Sequence, residues 1–175
     1  QMAKIGVNSL VIVTLTNFFI GVVIALQSAY QMKKVSAEIY IPSLVAISVC
    51  REIGPIITAL VVAGRIGASI AAELGSMKVT EQIDALETLA ADPVKYLVTP
   101  RFLALVTMLP LLTVYADMIG IAGGYVVSVF KLGLSSSLYV KMTFLPLELK
   151  DIFTGLFKTV IFAVLICIIS CYEGL

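Results

Sequence analysis

Four long apolar segments, separated by shorter polar stretches, dominate the pattern of this chain. They run from about 5 to 30, 43 to 74, 101 to 130 and 151 to 172. A helix needs about 20 apolar residues to cross the hydrocarbon core of a bilayer, and each segment reaches that length. The pattern therefore predicts an all-α polytopic membrane protein, with about four transmembrane helices in one transmembrane domain over residues 1–175.

Prolines and capping residues predict where these helices begin or break. Pro55 removes a backbone donor, so it should kink the second span or begin a new piece of it. Pro100 suits the first turn of a helix, so the third span is expected to begin near Arg101. Asp151 is a good N-cap for the fourth span, and residues 131–150 before it are expected to form a polar loop.

The polar connection 75–99 has the pattern of a short amphipathic helix, with Thr80 as a suitable N-cap and Asp92–Pro93 as a suitable end. Its apolar stripe consists of Val79, Ile83, Leu86, Leu89 and Ala90. Its opposite, acidic face consists of Glu81, Asp84, Glu87 and Thr88. Helices that lie on lipid headgroups usually have basic polar faces, so docking into a groove of another protein is favoured over a position on the membrane surface.

Small residues recur at every fourth position inside two of the spans, and this spacing lets helix backbones approach each other closely in lipid. The positions predicted to pack against other helices are Ala63, Gly67, Ala71, Gly120 and Gly124. A second line beside the first consists of Gly64, Ala68 and Ala72. Close packing of a helix that also carries a charge indicates a transport or channel protein rather than a simple anchor.

The composition agrees with a membrane location and excludes several function classes. Of the 175 residues, 60% are hydrophobic and 13% are charged, against about 25% charged in ordinary soluble domains. The net charge of +1 gives no indication of nucleic-acid binding. The absence of histidine from the sequence excludes a histidine-based metal site or catalytic triad. Cys50, Cys167 and Cys171 show no disulfide or zinc pattern, so they are interpreted as buried thiols and no metal site is predicted.

Charged residues in or beside the apolar spans are the candidates for chemistry, because a charge at membrane depth is costly. They are Arg51, Glu52, Arg65, Glu73, Asp117 and Lys158. They could form a polar lining for a lipid headgroup or an ion path. Alternatively, Lys158 extends to the interface, and Arg51 and Glu52 neutralise each other there. Arg65 and Asp117 lie deepest in their spans and could line the path or form a structural ion pair.

The chain carries no phosphate-binding loop of the G-x-x-x-x-G-K-[ST] type. It is therefore not expected to be an enzyme, and any nucleotide-driven transport requires an ATPase on another polypeptide. The lysines and arginines are divided too evenly between the two ends of the spans to set the orientation in the membrane.

Several motifs, in order along nearly the whole chain, resemble the MlaE/YrbE permease family, the membrane subunits of MCE-type lipid ABC transporters. They are REIGP at 51–55, AGRIGA at 63–68, AELGSM at 72–77, TEQIDAL at 80–86, LPLLT at 109–113 and FKTV at 157–160. The resemblance implies a homodimeric permease that moves phospholipid or a related lipid. It also implies a cytoplasmic ABC ATPase on each protomer, which binds the ATP and Mg²⁺, and an MCE-domain partner on the far side of the membrane. No cofactor is expected on this chain itself.

The resemblance also assigns residues and a location. It implies that the connection 75–99 is a cytoplasmic coupling helix, whose contacts with the ATPase would involve Glu81, Gln82, Ile83, Asp84, Leu86 and Glu87. It places Arg51, Glu52 and Lys158 near the lipid-binding cavity. The implied location is the bacterial inner membrane or, alternatively, the plastid inner envelope. Family members carry further segments before and after this region, so the chain is expected to be a fragment.

A function of a different class competes with the lipid permease. It is an ion-coupled secondary transporter or channel subunit, with Arg65 and Asp117 on an ion path. A membrane scaffold is a weaker alternative, since it leaves the intramembrane charges unexplained. The acidic connecting helix and the linked motifs favour the permease.

Overall fold

The computed structural model describes residues 2–88 and 92–174; the side chains of residues 2–5, 7, 8 and 87 lie outside that description. Within it the secondary structure is helical, with no β-strand. The α-helices are α1 (Met2–Lys33), α2 (Ile41–Ser48), α3 (Gly54–Val62), α4 (Ala68–Val79), α5 (Gln82–Thr88), α6 (Pro93–Phe130), α7 (Ser136–Phe144) and α8 (Leu149–Gly174).

Helical stretches long and apolar enough to cross a membrane occur four times among the described residues. They are Ser9–Lys33, Glu38–Val79, Pro93–Phe130 and Leu149–Gly174. The predicted all-α membrane architecture with four spans is therefore confirmed, although several boundaries differ from the prediction.

The second span is built from three helices placed end to end. A π-helical turn, Val49–Ile53, joins α2 to α3, and a second, Ala63–Gly67, joins α3 to α4. Pro55 lies in the first turn of α3, so a new helical piece begins where the proline predicted it. Each π-helical turn holds an extra residue and often marks a functional site. The first of these two turns carries Arg51 and Glu52.

The third span begins earlier than the sequence predicted. Asp92 caps α6, because its Oδ1 accepts hydrogen bonds from the backbone N–H groups of Val94 at 3.0 Å and Lys95 at 3.3 Å. Pro93 supplies the first helical residue, and Pro100 lies inside the helix. The expected beginning near Arg101 is therefore wrong, since a capped start already existed upstream.

The connection between α4 and α5 also differs from the prediction. The Thr80 hydroxyl donates to the carbonyl oxygen of Ser76 at 2.8 Å, so Thr80 completes the C-terminal end of α4 and is not the N-cap of α5. Glu81 follows with a left-handed φ of 57°, which turns the chain between the two helices. The amphipathic helix is two turns long, and Leu89 and Ala90 lie outside the described residues.

The predicted loop 131–150 contains a helix, α7, that the sequence pattern did not indicate. Ser135 caps α7 by accepting from the Leu138 backbone N–H at 3.4 Å. Tyr139 is 2% exposed, and its hydroxyl donates to the Ile121 carbonyl oxygen at 2.9 Å. Burial raises the pKa of Tyr139 to about 12, so this donor stays protonated and holds α7 on α6. The helix α8 then begins at Leu149, and Asp151 lies in its first turn.

Glycines allow the closest contacts between the helices. A side-chain carbon added at Gly21 of α1 would collide with the backbone of Gly120 in α6. The predicted packing residue Gly67 faces Ser170 and Ile166 of α8, and Gly124 faces Val45 of α2 and Tyr139.

Ala63 and Ala71 lie on the same side of the span as Gly67, along a groove between this span and α8. The second small-residue line is exposed, although Ala68 also borders that groove. Gly64, Ala68 and Ala72 are exposed, and a side-chain carbon at Gly64 would meet nothing within 4 Å.

Candidate functional site

Four charged side chains from two spans meet near the end of the bundle where α7 lies. Lys158 of α8 donates from Nζ to Glu52 Oε2 at 2.6 Å and to the carbonyl oxygen of Arg51 at 3.2 Å. Arg51 Nη1 lies 3.6 Å from Asp151 Oδ1, and Arg51 Nε lies 3.9 Å from Glu52 Oε1. We call Arg51, Glu52, Asp151 and Lys158 the charged cluster. It brings together the three predicted cavity residues.

Local backbone features position this cluster. Arg51 and Glu52 both lie in the π-helical turn Val49–Ile53, which presents them toward α8. Gly155 lets α8 approach that turn, because a side-chain carbon there would collide with the carbonyl oxygen of Cys50. Asp151 was interpreted from the sequence only as a helix cap. Asp151 and Lys158 are seven residues apart, so they lie two helical turns apart on one face of α8. That spacing was the signal by which the sequence could have placed Asp151 in the site.

The cluster is balanced in charge and accessible. Two cations face two carboxylates, so its formal charge is zero. The side-chain exposure is 54% for Arg51 and 51% for Glu52, against 30% for Lys158 and 17% for Asp151. The half-exposed guanidinium of Arg51 retains donors for another acceptor, and its planar fork suits a phosphate or carboxylate. The arrangement can therefore hold an anionic group without catalysing a reaction.

Arg65 and Asp117 do not meet. The Asp117 carboxyl group lies against Gly54, at the beginning of α3. Arg65 is eleven residues beyond Gly54 along the same helical run. The two backbone positions are therefore about 16 Å apart along the helix axis, a distance greater than an arginine side chain can span. The alternative of a direct ion pair between Arg65 and Asp117 is therefore wrong. Asp117 instead lines a cavity between α6 and α8.

Arg101 is a buried charge, although the sequence pattern indicated only a residue at the beginning of a span. Its side chain is 5% exposed, and its Nη2 lies 3.4 Å from Glu73 Oε2. Nη1 donates to the carbonyl oxygen of Leu97 at 3.2 Å, while the buried Nε has no partner. The eight residues of α6 before Arg101 take it into the bundle, so only the corrected helix boundary reveals its burial.

The short helix α5 presents a different face from the one expected. Ile83 and Leu86 are half-buried, because they pack against the apolar core of this chain. Gln82, Asp84 and Ala85 are exposed, as is Glu81 just before the helix. The side chain of Glu87 lies outside the description. The two apolar residues thus seat α5 on the membrane helices, and the surface left for another molecule is polar and acidic.

The described residues contain no group of three or more cysteine, aspartate or glutamate side chains that could hold a metal ion. The three cysteines are buried. Cys167 and Cys171 lie one helical turn apart in α8, with their sulfur atoms 4.0 Å from each other.

Comparison with known proteins decides the family. The family model described as Permease MlaE matches residues 1–175. This chain belongs to the MlaE permease family. The resemblance of its motifs to that family is therefore confirmed. Permeases of this family are membrane subunits, and the four spans of the chain agree with that role.

Three relatives show how far the similarity of this MlaE-family chain extends. A probable ABC transporter permease protein of Rickettsia typhi is 50% identical over 174 residues, which cover 99% of this chain and 67% of the relative. The intermembrane phospholipid transport system permease protein MlaE of Haemophilus influenzae is 41% identical, with coverage of 99% and 67%. A probable ABC transporter permease protein of Synechocystis is 40% identical, with coverage of 100% and 66%. The chain thus spans about two thirds of the length of these relatives.

Proposed function

We propose that this chain is the permease subunit of an ABC transporter that moves phospholipid or a related lipid between membranes, powered by a separate ATPase subunit. One observation carries the proposal: the charged cluster of Arg51, Glu52, Asp151 and Lys158 lies within apolar spans, in a chain similar to a named phospholipid transport permease. A lipid phosphate at membrane depth needs such partners, because an unpaired charge in hydrocarbon is very unfavourable.

Arg51 and Lys158 are the proposed phosphate ligands, and Glu52 is the residue that holds Lys158 in place. Glu52 Oε2 accepts from Lys158 at 2.6 Å, and Asp151 lies beside Arg51. A bound phosphate competes with these carboxylates for the two cations. This competition limits the affinity for the lipid, and a transporter requires such a limit because it must release what it binds.

The acidic face of α5 supports a coupling role toward the ATPase, which would carry the ATP and Mg²⁺. Gln82, Asp84 and Ala85 are exposed there, and Glu81 extends the acidic surface. A groove of basic character on the partner fits this face, and complementary charges favour association and orientation. Ile83 and Leu86 would connect the docked helix to the membrane spans, since both pack on the core.

The proposal includes an assembly and a location. The chain would form a homodimer in the bacterial inner membrane, or in the plastid inner envelope, with α5 in the cytoplasm and an MCE-domain protein on the opposite side. The exposed line of Gly64, Ala68 and Ala72 supports a close helix contact with a second copy, because small residues at this spacing let backbones approach.

Lipid retention tests the proposed function. The full-length protein, co-expressed with its ATPase, would be extracted from nanodiscs into detergent. The phospholipid that stays bound to it would then be quantified by mass spectrometry. Lys158→Ala and Arg51→Ala should each lower retained phospholipid by about tenfold, the loss expected for a hydrogen bond to a charged group. Lys141→Ala, an exposed lysine of α7 outside the cluster, is the matched control and should retain wild-type lipid.

The same preparation tests the class of transporter. A lipid ABC permease requires an ATPase in stoichiometric amount with the chain, and both cluster variants should keep it. A wild-type protein that purifies without an ATPase and transports ions would instead establish the ion-coupled carrier or channel.

A further inference from the structure

The outer surface of the second span changes character near the middle of the span. On the side of the charged cluster, the span exposes the large apolar side chains of Ile56 and Leu60. From 61 to 78, a stretch that the structure describes in full, the exposed residues are all small, hydroxylated or charged. They are Gly64, Arg65, Ala68, Ser69, Ala72, Ser76 and Lys78. A surface that carries a charge at membrane depth usually faces a polar space, so this half of the span does not face lipid tails.

The hydrophilic residues of this half follow one side of the helix. Ser69 and Glu73 lie four and eight residues beyond Arg65, and Ser76 lies three residues beyond Glu73, so the four share a face. We call Arg65, Ser69, Glu73 and Ser76 the polar stripe. It runs beside the exposed line of small residues that is proposed to contact a second copy of the chain.

Contacts with α8 set the depth of Arg65 in the membrane. The second span and α8 run in the same direction, since Gly155 lies against the backbone of Cys50 and Gly174 lies against Leu74. These two glycines are 19 residues apart, about 28 Å along α8, which is close to the hydrocarbon thickness of a bilayer. Arg65 precedes Leu74 by nine residues, so it lies near the middle of the membrane. The polar stripe therefore leads from that middle to the end of the bundle that carries α5.

The polar stripe is cationic where it is deepest. Arg101 binds Glu73, with 3.4 Å between Nη2 and Oε2, so the negative charge of Glu73 is offset. The guanidinium of Arg65 is exposed and carries five N–H donors, so it can bind an anion in addition to any contact within the chain. Its planar fork matches the oxygen atoms of a phosphate.

We propose that a phospholipid headgroup passes along the polar stripe between the α5 side of the membrane and its middle, and that Arg65 binds the phosphate at the deep end. This inference rests on the proposed lipid-transport function. The charged cluster is a separate site, because Arg51 precedes Arg65 by 14 residues, about 21 Å along the span. The cluster serves one half of the membrane and the stripe serves the other, so the transporter takes lipid from, or delivers it to, the leaflet on the α5 side.

Chemical labelling tests whether the polar stripe faces water. In the full-length protein with its ATPase, Ser69→Cys should react with an anionic methanethiosulfonate reagent added to inverted membrane vesicles. The three native cysteines are buried, so the wild type supplies the background. Leu165→Cys is the matched control, because Leu165 is exposed on α8 beside Ile166, which lies at the depth of Gly67. It faces lipid tails, so its labelling should stay at the background.

A phosphate competitor tests the deep end of the stripe. Dioctanoyl phosphatidylglycerol should slow the labelling of Ser69→Cys by about tenfold, the effect expected for a hydrogen bond to a charged group. Dioctanoylglycerol has the same tails without the phosphate and should not slow it. Adding Arg65→Gln to Ser69→Cys should abolish the protection. Adding Lys131→Gln, which neutralises an exposed lysine at the opposite end of the bundle, should preserve it.

Transport separates the role of Arg65 from that of the charged cluster. Arg65→Gln should lower the ATP-dependent transfer of a fluorescent phospholipid from the α5-side leaflet of proteoliposomes by about tenfold. Arg65→Lys keeps the cation and should restore most of that rate. The phospholipid retained after extraction into detergent should be unchanged in both variants, because the charged cluster is intact.

Three outcomes overturn the proposal. Labelling of Ser69→Cys that stays at the background means that the stripe is covered, and a disulfide between two copies at that position would identify a second copy as the cover. Protection by the phosphate lipid that survives Arg65→Gln, or an unchanged transfer rate, removes Arg65 as the phosphate ligand. If Arg65→Gln fails to fold, the two competitors on Ser69→Cys still decide, because equal effects of both lipids contradict a phosphate site.

The wild type reports separately on the proposed function. If it retains and transfers no phospholipid, that function fails and this inference fails with it. Normal transfer by both the wild type and Arg65→Gln overturns this inference alone.

Discussion

Lys158 in α8 joins its helix to the second span through a 2.6 Å hydrogen bond to Glu52, a residue 106 positions earlier in the chain. The same Nζ donates to the carbonyl oxygen of Arg51 at 3.2 Å. One lysine therefore contacts both a side chain and the backbone of the π-helical turn Val49–Ile53. A ligand that draws Lys158 away from Glu52 also changes a contact of that turn. Lipid binding would therefore alter the contacts that hold the second span against α8.

A double-mutant cycle of Glu52→Gln and Lys158→Met should give a small coupling energy for this pair, below about 1 kcal/mol. The reason is a second cation: Arg51 Nε lies 3.9 Å from Glu52 Oε1, so Glu52 keeps a partner when Lys158 is removed. Thermal melting of the detergent-solubilised full-length protein measures the four variants. A coupling of several kcal/mol would mean that the pair is a permanent structural bridge, unsuited to exchange with a phosphate.

Gly67→Leu should destabilise the protein by about 1–3 kcal/mol, because the added side chain is forced into a packed contact. A side-chain carbon at Gly67 would already lie 2.8 Å from Ser170 Oγ, on the face that packs against α8. Gly75→Leu, in α4, is the matched control, because nothing lies within 4 Å of that position. Melting temperatures of the two variants check this, and equal losses would contradict the close packing of Gly67 against α8.

Gly64→Leu tests the proposed homodimer in the same series. If the exposed small-residue line contacts a second copy, leucine at Gly64 should convert dimers to monomers while the melting of each protomer changes little. Light scattering of the purified complex measures the mass. A dimer that persists in Gly64→Leu would place the contact between protomers on another face.

Arg101→Leu and Glu73→Ala should have unequal effects on stability. Arg101 is 5% exposed, so Glu73→Ala leaves a buried cation with fewer partners, at a cost of about 1–3 kcal/mol. Arg101→Leu removes the buried charge itself and leaves Glu73, which is 40% exposed, with access to water, so it should cost less. Chemical unfolding of both variants checks the order, with the exposed Glu173→Ala as control. The reverse order would show that the arginine stabilises the bundle through contacts other than its ion pair.

Asp84→Lys should weaken retention of the ATPase by on the order of tenfold at low salt, and by less at high salt, because complementary charges across an interface are screened by ions. Asp84 is exposed on α5, so this change leaves the packing of the helix intact. Glu148→Lys makes the same change of charge at the opposite end of the bundle and should leave retention unaffected. Pull-down of the ATPase at two salt concentrations measures both variants.

Leu86→Asp would lose the ATPase for a different reason. Leu86 packs against the core of its own chain, so an aspartate there would unseat α5 and lower the melting temperature as well. Wild-type retention of the ATPase by Asp84→Lys at low salt would show that the acidic face of α5 is not the docking surface.

The number of spans and the family could be read from the sequence, because both depend on local or ordered features. Bilayer thickness sets the length of an apolar segment, so four segments of sufficient length predict four spans regardless of how they pack. The motifs from Arg51 to Val160 likewise resemble the family in their order alone. Even the break at Pro55 is local, since the missing backbone donor acts within one helical turn.

Helix boundaries were less predictable, because neighbouring signals compete. The Thr99–Pro100 pair is a good helix start in isolation, but Asp92–Pro93 upstream supplies both a cap and a first-turn proline. The sequence did not predict α7, because this helix is short and is held in place by contacts of Tyr139 with α6. Those contacts are not visible in the local pattern.

Only the tertiary structure decided which residues meet. Gly67 and Gly64 belong to the same kind of small-residue pattern, yet one faces α8 and the other faces away from the bundle. Asp117 and Arg65 are equally deep in the sequence pattern, yet Asp117 lies against Gly54, far from Arg65. The pairing of Lys158 with Glu52 and the burial of Arg101 depend on how four helices are rotated and placed against one another. A hydropathy pattern contains the length of each helix but not that rotation. Lipid can cover any apolar face of a helix, so packing between helices alone selects which faces meet.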